Sequence, residues 1–292
     1  MTYCTFEEKL MEQVSGYMKI TNPDATLRLV PTVRNNEQEE RLLVIDSPAY
    51  KESPAIRLRE LYANCTEEVE IAAVAQQVCQ SVEAYKGNLK FDIEEFWNFT
   101  KAKDKIIFRL IHAGKNRERL KNMPYKLYMD LAIVFLYRLD HVPEGEGTIA
   151  ITNEIAGKWH TTVEQLWELA WENTQRIYEP EGMPLQSFLQ EFKLGDMPDT
   201  GLWLLTNKRR AFGAGVLLYD GVLDRFANKF QSDFYILPSS VHEVLLLPME
   251  QDMELADFHE MVQDANNEAV KPDEVLSDHA YYYSRKLHRI VY

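Results

Sequence analysis

The stretch from Gly201 to Pro248, GLWLLTNKRRAFGAGVLLYDGVLDRFANKFQSDFYILPSSVHEVLLLP, limits the possible folds more than any other part of the chain. Its apolar runs at Leu202 to Thr206, Phe234 to Leu237 and Val241 to Leu247 are long enough for buried strands and too short for helices. Pro248 closes the third run, because proline has no N–H to give to a ladder. Between the first two runs, Val216, Leu223, Phe226, Ala227 and Phe230 fall at helical spacing. Gly213 and Gly215 sit in the first turn of that predicted helix, where lost backbone freedom costs least. Pro238-Ser239-Ser240 reads as a turn. The last two strands are therefore expected to form a hairpin beside the first.

The remainder of the chain repeats this mixture. Phe6, Leu10, Val14, Tyr17 and Met18 predict an N-terminal helix that Asn22-Pro23-Asp24 stops. Leu27 to Val33 and Leu42 to Ile45 flank a turn at Asn35-Asn36-Glu37, and a short strand follows at Ala55 to Leu58. Thr66 is expected to cap a helix carrying Ile71, Val74, Ala75, Val78, Cys79 and Val82, which Lys86-Gly87-Asn88 ends. The segment Phe91 to Asp104 connects to a second half. There, Ile106 to Ile111 and Leu131 to Leu139 read as strands, the latter rich in β-formers. It is expected to pair with Thr148 to Thr152 across Pro143 to Gly147. Lys115 to Lys121 is a short basic helix or turn. Thr161 with Glu164 suggests a capping box for a helix whose Val163, Leu166, Trp167, Ala170 and Trp171 face a core. Pro180 to Pro184 reads as a break. A last helix carries Leu255, Phe258, Val262 and Ala265, and Tyr281 to Tyr283 is a closing strand.

The fold class predicted is α+β, with mixed sheets built from strand-strand-strand-helix units. The C-terminal part runs strand-helix-strand-strand-helix-strand. Two domains are expected, 1–100 and 101–292, the second divisible at 105–178 and 198–292. One internal echo supports a recurring unit: Ala55-Ile56, then Thr66, then a helix has the same spacing as Ala150-Ile151, then Thr161, then a helix. Two matches alone do not make a repeat.

Composition narrows the function. A chain of 292 residues with a net charge of −14 is poorly suited to broad binding of nucleic acid or anionic membranes, so nucleic acid is the last-ranked partner. Cys4, Cys65 and Cys79 are odd in number and form no C-x-x-C pair, which points to neither a disulfide framework nor a thiolate metal site. Cys79 lies on an apolar helix stripe, as a small core residue would. No apolar run approaches membrane-spanning length and no signal peptide opens the chain, so a cytoplasmic protein is expected.

Candidate chemistry is sparse. Lys208, Arg209 and Arg210 precede the glycine-containing helix start, where backbone N–H groups and guanidinium forks favour an anion. The segment Lys115, Arg117, Arg119 and Lys121 joins them only if the fold brings the two together. The plainer reading is a solvated turn whose cations pair with the chain's own carboxylates. Ser239 or Ser240 with His242 is the alternative, a serine nucleophile with its base, but there is no G-x-S-x-G elbow. The His-Glu pairs at His242 and His259 do not continue to H-E-x-x-H, and Asp278-His279 needs a distant third ligand, so no metal site and no cofactor are predicted.

The blocks LTNKRRAFGA (Leu205 to Ala214), LPSSVHEV (Leu237 to Val244) and VLSDHAYYY (Val275 to Tyr283) resemble those of a bacterial family of uncharacterised proteins. So do Val33-Arg34-Asn35-Asn36 and the region from Leu131 to Ile177. From Leu131 onward the pattern is also similar to a second uncharacterised family of Gram-positive cytoplasm. The resemblance implies a mixed α/β build and a bacterial, intracellular protein. It implies no activity and no catalytic residues. The function expected is therefore non-enzymatic: binding or regulation through a protein partner or an anionic small ligand, with the serine hydrolase as the alternative.

Overall fold

The computed structural model describes residues 1–50, 53–65, 68–85, 91–139, 147–193, 195, 200–249 and 255–291. The expectations placed on Thr66, on Lys86-Gly87-Asn88 and on Pro143 to Glu146 lie outside them. The chain forms two compact units: Met1–Arg34 with Gln38–Phe91, and Asn35–Glu37 with Asp92–Tyr292.

The first unit opens with α1 (Tyr3–Thr21), capped by the Thr2 hydroxyl, which accepts from the Thr5 N–H. Strands β1 (Thr26–Val33) and β2 (Glu39–Asp46) pair antiparallel, and β3 (Ala55–Arg57) adds to β2. Helices α2 (Leu58–Ala63) and α3 (Ile71–Tyr85) follow. Phe6, Leu10, Val14 and Met18 of α1 recur every four residues and meet Ile71, Ala75, Val78, Cys79 and Val82 of α3 over Leu43 and Ile45 of β2. Burial first, then the charge of Glu83, pushes the Cys79 thiol up to about 11, so it packs as a small apolar group.

The second unit begins with α4 (Ile93–Trp97) and α5 (Phe99–Ala102), then β4 (Ile106–His112), α6 (Arg117–Leu120), β5 (Tyr125–Tyr128), β6 (Leu131–Arg138) and β7 (Thr148–Ala150). Strand β6 pairs with β4, β5 and β7 and is buried at seven successive positions, with Ala132 and Val134 packed on Leu120 and Met123 and Tyr137, of opposite parity, on Phe96 and Trp159. Next come α7 (Asn153–Lys158) and α8 (Val163–Ile177), which lies over β4. There, Trp167 and Trp171 pack against Phe108, and the Thr174 hydroxyl accepts from the Phe108 N–H. The N-cap of α8 is Thr162, not Thr161: Thr162 Oγ1 accepts from the Gln165 N–H while Gln165 Oε1 accepts from the Thr162 N–H. Either threonine precedes an acid or amide three residues on, so the pattern alone was ambiguous by one residue. The order β3–α2–α3 recurs as β7–α7–α8, with the same element lengths of 3, 6 and 15 residues.

The last sheet is built from β8 (Pro180–Pro184), β9 (Trp203–Asn207), β10 (Phe234–Pro238), β11 (Val244–Pro248), β12 (Tyr281–Ser284) and β13 (Arg289–Val291). Between them lie α9 (Leu185–Phe192), α10 (Val222–Phe230) and α11 (Leu255–Glu268). Strand order is β13-β12-β10-β11-β9-β8. Mixed sheets were expected, yet each pairing among the described residues is antiparallel. The tight return from β10 inserts β11 between β10 and β9, so two strands running the same way never become neighbours. The fold is thus α+β, as expected.

Two local expectations change. Pro180–Pro184 is not a break but the edge strand β8, where proline is tolerated because one side of the ladder needs no donor. The single helix expected after Gly213 is two pieces: a 3₁₀ segment, Gly213–Leu218, and then α10. Gly221 in a left-handed conformation (φ 68°) separates them. Among the described residues no helix is long and apolar enough to cross a membrane.

Candidate functional site

Strand β9 ends in Thr206 and Asn207, and the chain then turns sharply through Lys208 to Gly213. Asparagine is suited to this because its side chain can mimic a backbone turn. The buried Asn207 side chain does so at both ends: Oδ1 accepts from the Arg209 N–H at 3.0 Å and Nδ2 donates to the Ala211 carbonyl at 2.8 Å. Arg210 N–H donates to the Asn207 carbonyl. Within this turn Arg210 (φ 54°) and Phe212 (φ 56°) are both left-handed, each at a cost on the order of 1 kcal/mol for a residue with a side chain.

The turn is held from the other side by the segment before β11. His242 Nδ1 accepts from the Phe212 N–H at 3.2 Å, and Thr206 Oγ1 donates to the His242 carbonyl at 2.8 Å. The Phe212 ring stacks on the imidazole at 5.9 Å and has the Arg109 guanidinium over it at 5.5 Å. Gly213 lies in contact with this bridge. A Cβ there would overlap Thr206 Oγ1 and the His242 carbonyl oxygen. Absence of a side chain, rather than helix entry, is what this glycine supplies.

The three cations predicted as an anion site all leave this turn, but each is engaged. Lys208 pairs with Glu179 between two exposed side chains. Hydrogen bonding to Glu179, then its charge, holds the Lys208 ammonium above its ordinary pKa. Arg209 donates through Nε to the Ile177 carbonyl at 3.3 Å and lies over the Tyr178 ring. Arg210 stacks on Phe192 at 4.0 Å and Phe188 at 5.1 Å, and approaches Glu181 and Glu191 at 3.5 and 3.7 Å. The helix dipole invoked for this site does not face them, since a short 3₁₀ segment begins at Gly213. The second basic segment goes elsewhere: Lys115 binds Asp278 at 2.8 Å and Lys121 binds Glu118 at 2.6 Å.

The two serines lie in the turn before β11. Ser240 is buried; its Oγ donates to Glu243 Oε1 at 2.6 Å and accepts from the His242 N–H at 2.9 Å. It closes the turn between β10 and β11, and the strand starts at Val244 rather than Val241. The His242 imidazole is turned to Phe212 instead. Ser239 is half-buried in the same turn.

A second polar cluster was not foreseen as a unit. Asn36 and Asn116, both buried, bond reciprocally: Asn36 N–H to Asn116 Oδ1 and Asn116 Nδ2 to Asn36 Oδ1, each 2.8 Å. Asn36 Nδ2 also donates to the carbonyls of Pro272 and Val275, and Asn116 Nδ2 to that of His112. Beside them Asp278 accepts from Lys115 and from Asn266 and faces His112 Nε2 at 3.3 Å. His112 Nδ1 accepts from the N–H groups of Gly114 and Lys115. Burial, reinforced by the charge of Lys115, holds His112 below the ordinary imidazole value against the opposing pull of Asp278 and Asp130. Burial alone would raise Asp278, but Lys115 and then His112 outweigh it and leave the carboxyl below the usual range. Among the described residues no group of three or more His, Cys, Asp or Glu side chains is placed to hold a metal ion. The signals for this cluster were the asparagines of Val33-Arg34-Asn35-Asn36 and the Ser277-Asp278 pair, but nothing local in sequence pairs positions so far apart.

The chain matches the model of a family of unknown function, DUF5688, over residues 3–285, and belongs to that family. No curated protein and no solved structure matches it.

Proposed function

Proceeding from membership of a family without an assigned activity, we propose that this chain is a non-enzymatic binding or regulatory protein of the cytoplasm that recognises an anionic ligand through Lys208, Arg209 and Arg210. The observation that carries the reading is the turn itself. Two consecutive-but-one residues with side chains are kept left-handed by Asn207, His242 and Gly213, and strain of this kind concentrates where a surface must be presented in one shape. The cations' present partners do not oppose it. An exposed pair such as Lys208 with Glu179 is weak in water, and Arg210 sits at 3.5 Å or more from its carboxylates. A bidentate phosphate or carboxylate forms shorter, charge-assisted bonds and displaces them. The chemistry of a serine nucleophile gains no support from Ser240, whose hydroxyl is bonded to Glu243.

Calorimetric titration with inorganic phosphate, pyrophosphate and a polyglutamate peptide tests the proposal. Binding is expected for the intact protein, lost in the double variant Arg209→Ala, Arg210→Ala, and strengthened in Glu191→Gln, which removes a competing carboxylate. No binding to any of the three ends the idea. A covalent adduct with a serine-reactive phosphonate revives the hydrolase.

A further inference from the structure

A cavity of about 370 Å³ lies between α6 and β5, lined by His112, Gly114, Arg117, Leu120, Leu127 and Asp130, among others. Its floor continues an apolar layer of Ile111, Leu120, Met123, Ala132 and Val134. On the rim, Tyr125 is 38% exposed and Leu127 is 66% exposed, both on the same face of β5 because strand side chains alternate. Among the described residues β5 pairs only with β6, so its outer side leaves alternate N–H and C=O groups without a ladder partner. Natural edge strands are commonly blunted by proline, by lysine or by covering elements; β8 carries two prolines, whereas β5 carries none and has a single lysine, Lys126.

Charge identifies the occupant. Acidic residues outnumber basic ones by 46 to 32, so a cation without a carboxylate is not for want of acids in the chain. Lys115 and Lys121, on either side of Arg117, both have acidic partners. Arg117, on the cavity wall, and Lys126, on β5, have none among the described residues. A second copy of this chain pairing edge to edge brings these cations onto their own likeness. We propose that β5 is a docking edge for an extended, acidic segment of another protein. The segment adds as a strand to β5, seats an apolar side chain against Leu120 and Leu127, sets one carboxylate on Arg117 at the cavity, and sets another on Lys126 on the opposite face of β5. This site uses different residues from the Lys208–Arg210 surface and does not depend on it.

A short peptide of glutamates around a single leucine is the probe, and one of lysines around a single leucine is the control. The glutamate peptide is expected to bind saturably and to slow amide hydrogen exchange at Tyr125 and Leu127. Reversing both cations, Arg117→Glu with Lys126→Glu, is expected to weaken it about tenfold, the worth of two exposed ion pairs. Both changes are at the surface or edge, and an unchanged melting curve verifies that the variant is folded. The milder pair Arg117→Gln with Lys126→Gln is expected to lose a smaller part of the affinity. The proposal is overturned if the glutamate peptide fails to bind up to millimolar concentration, or if the lysine peptide binds as well. It is equally overturned if the charge-reversed protein binds as the wild type does, or if β5 is protected instead by dimerisation that the peptide does not compete with.

Discussion

Two turns in the second unit use the same residue for opposite ends. At Asn116 and Asn36 the amides face inward and close on one another, on backbone carbonyls and on the shell around Asp278. At Asn207 the amide closes on its own turn and thereby pushes Lys208, Arg209 and Arg210 outward. Asn116 and Asn207 are equally buried, at 0% and 1% exposed. The polar residue itself therefore says nothing about function. What separates a structural knot from a presenting loop is where the neighbouring side chains end.

Variants can break or sharpen this contrast. The largest effect is expected at the inward network. Asn116→Ala strands the Asn36 N–H and Oδ1 and the His112 carbonyl in a buried site, and about 4 kcal/mol of stability is expected to go, read by urea unfolding. If Asn116→Ala melts like the wild type, the network is not the knot described. Next comes Gly213→Ala, where the new methyl meets backbone and must shift the His242 segment; a loss of about 3 kcal/mol is expected. A tolerated alanine there refutes the claim that the loop is clamped.

A smaller effect is expected from pH. His112 has a folded pKa below its unfolded one, so the folded state binds fewer protons through that interval. Its contribution is complete above about pH 6.5 and is lost as pH falls from there through the depressed folded value. Unfolding midpoints measured across that window should decline in the wild type and decline less in His112→Gln. The smallest effect on stability is expected at the outward cations. Arg209→Ala with Arg210→Ala should leave the unfolding midpoint nearly unchanged while removing anion binding. A large loss of stability instead would move this loop into the same class as the Asn116 knot.

The sequence was most legible where periodicity is local. The α1 stripe, the alternating hairpin of β1 and β2, the β10–β11 hairpin and the apolar run of β6 all follow from residues close together in the chain. It was least legible where an element's identity depends on a neighbour. Pro180–Pro184 is a strand only because β9 offers it a ladder on one side, and β5 and β13 are too short to announce themselves. Of the candidate sites, the cations of LTNKRR could be picked out by type, but not their carboxylate partners on β8 and α9, and not the turning of His242 toward Phe212 rather than toward Ser240.

What these amino acids determined alone is the class of fold, the periodic faces that form the cores, and an acidic net charge. Tertiary structure alone decided which polar groups are consumed. Hydrogen bonds act over about 3 Å, and the partners of Asn36, Asp278 and Phe212 lie tens to hundreds of residues away along the chain. Short-range forces between remote positions leave no periodic trace in a sequence, so only the folded chain shows which side chains remain available to a ligand.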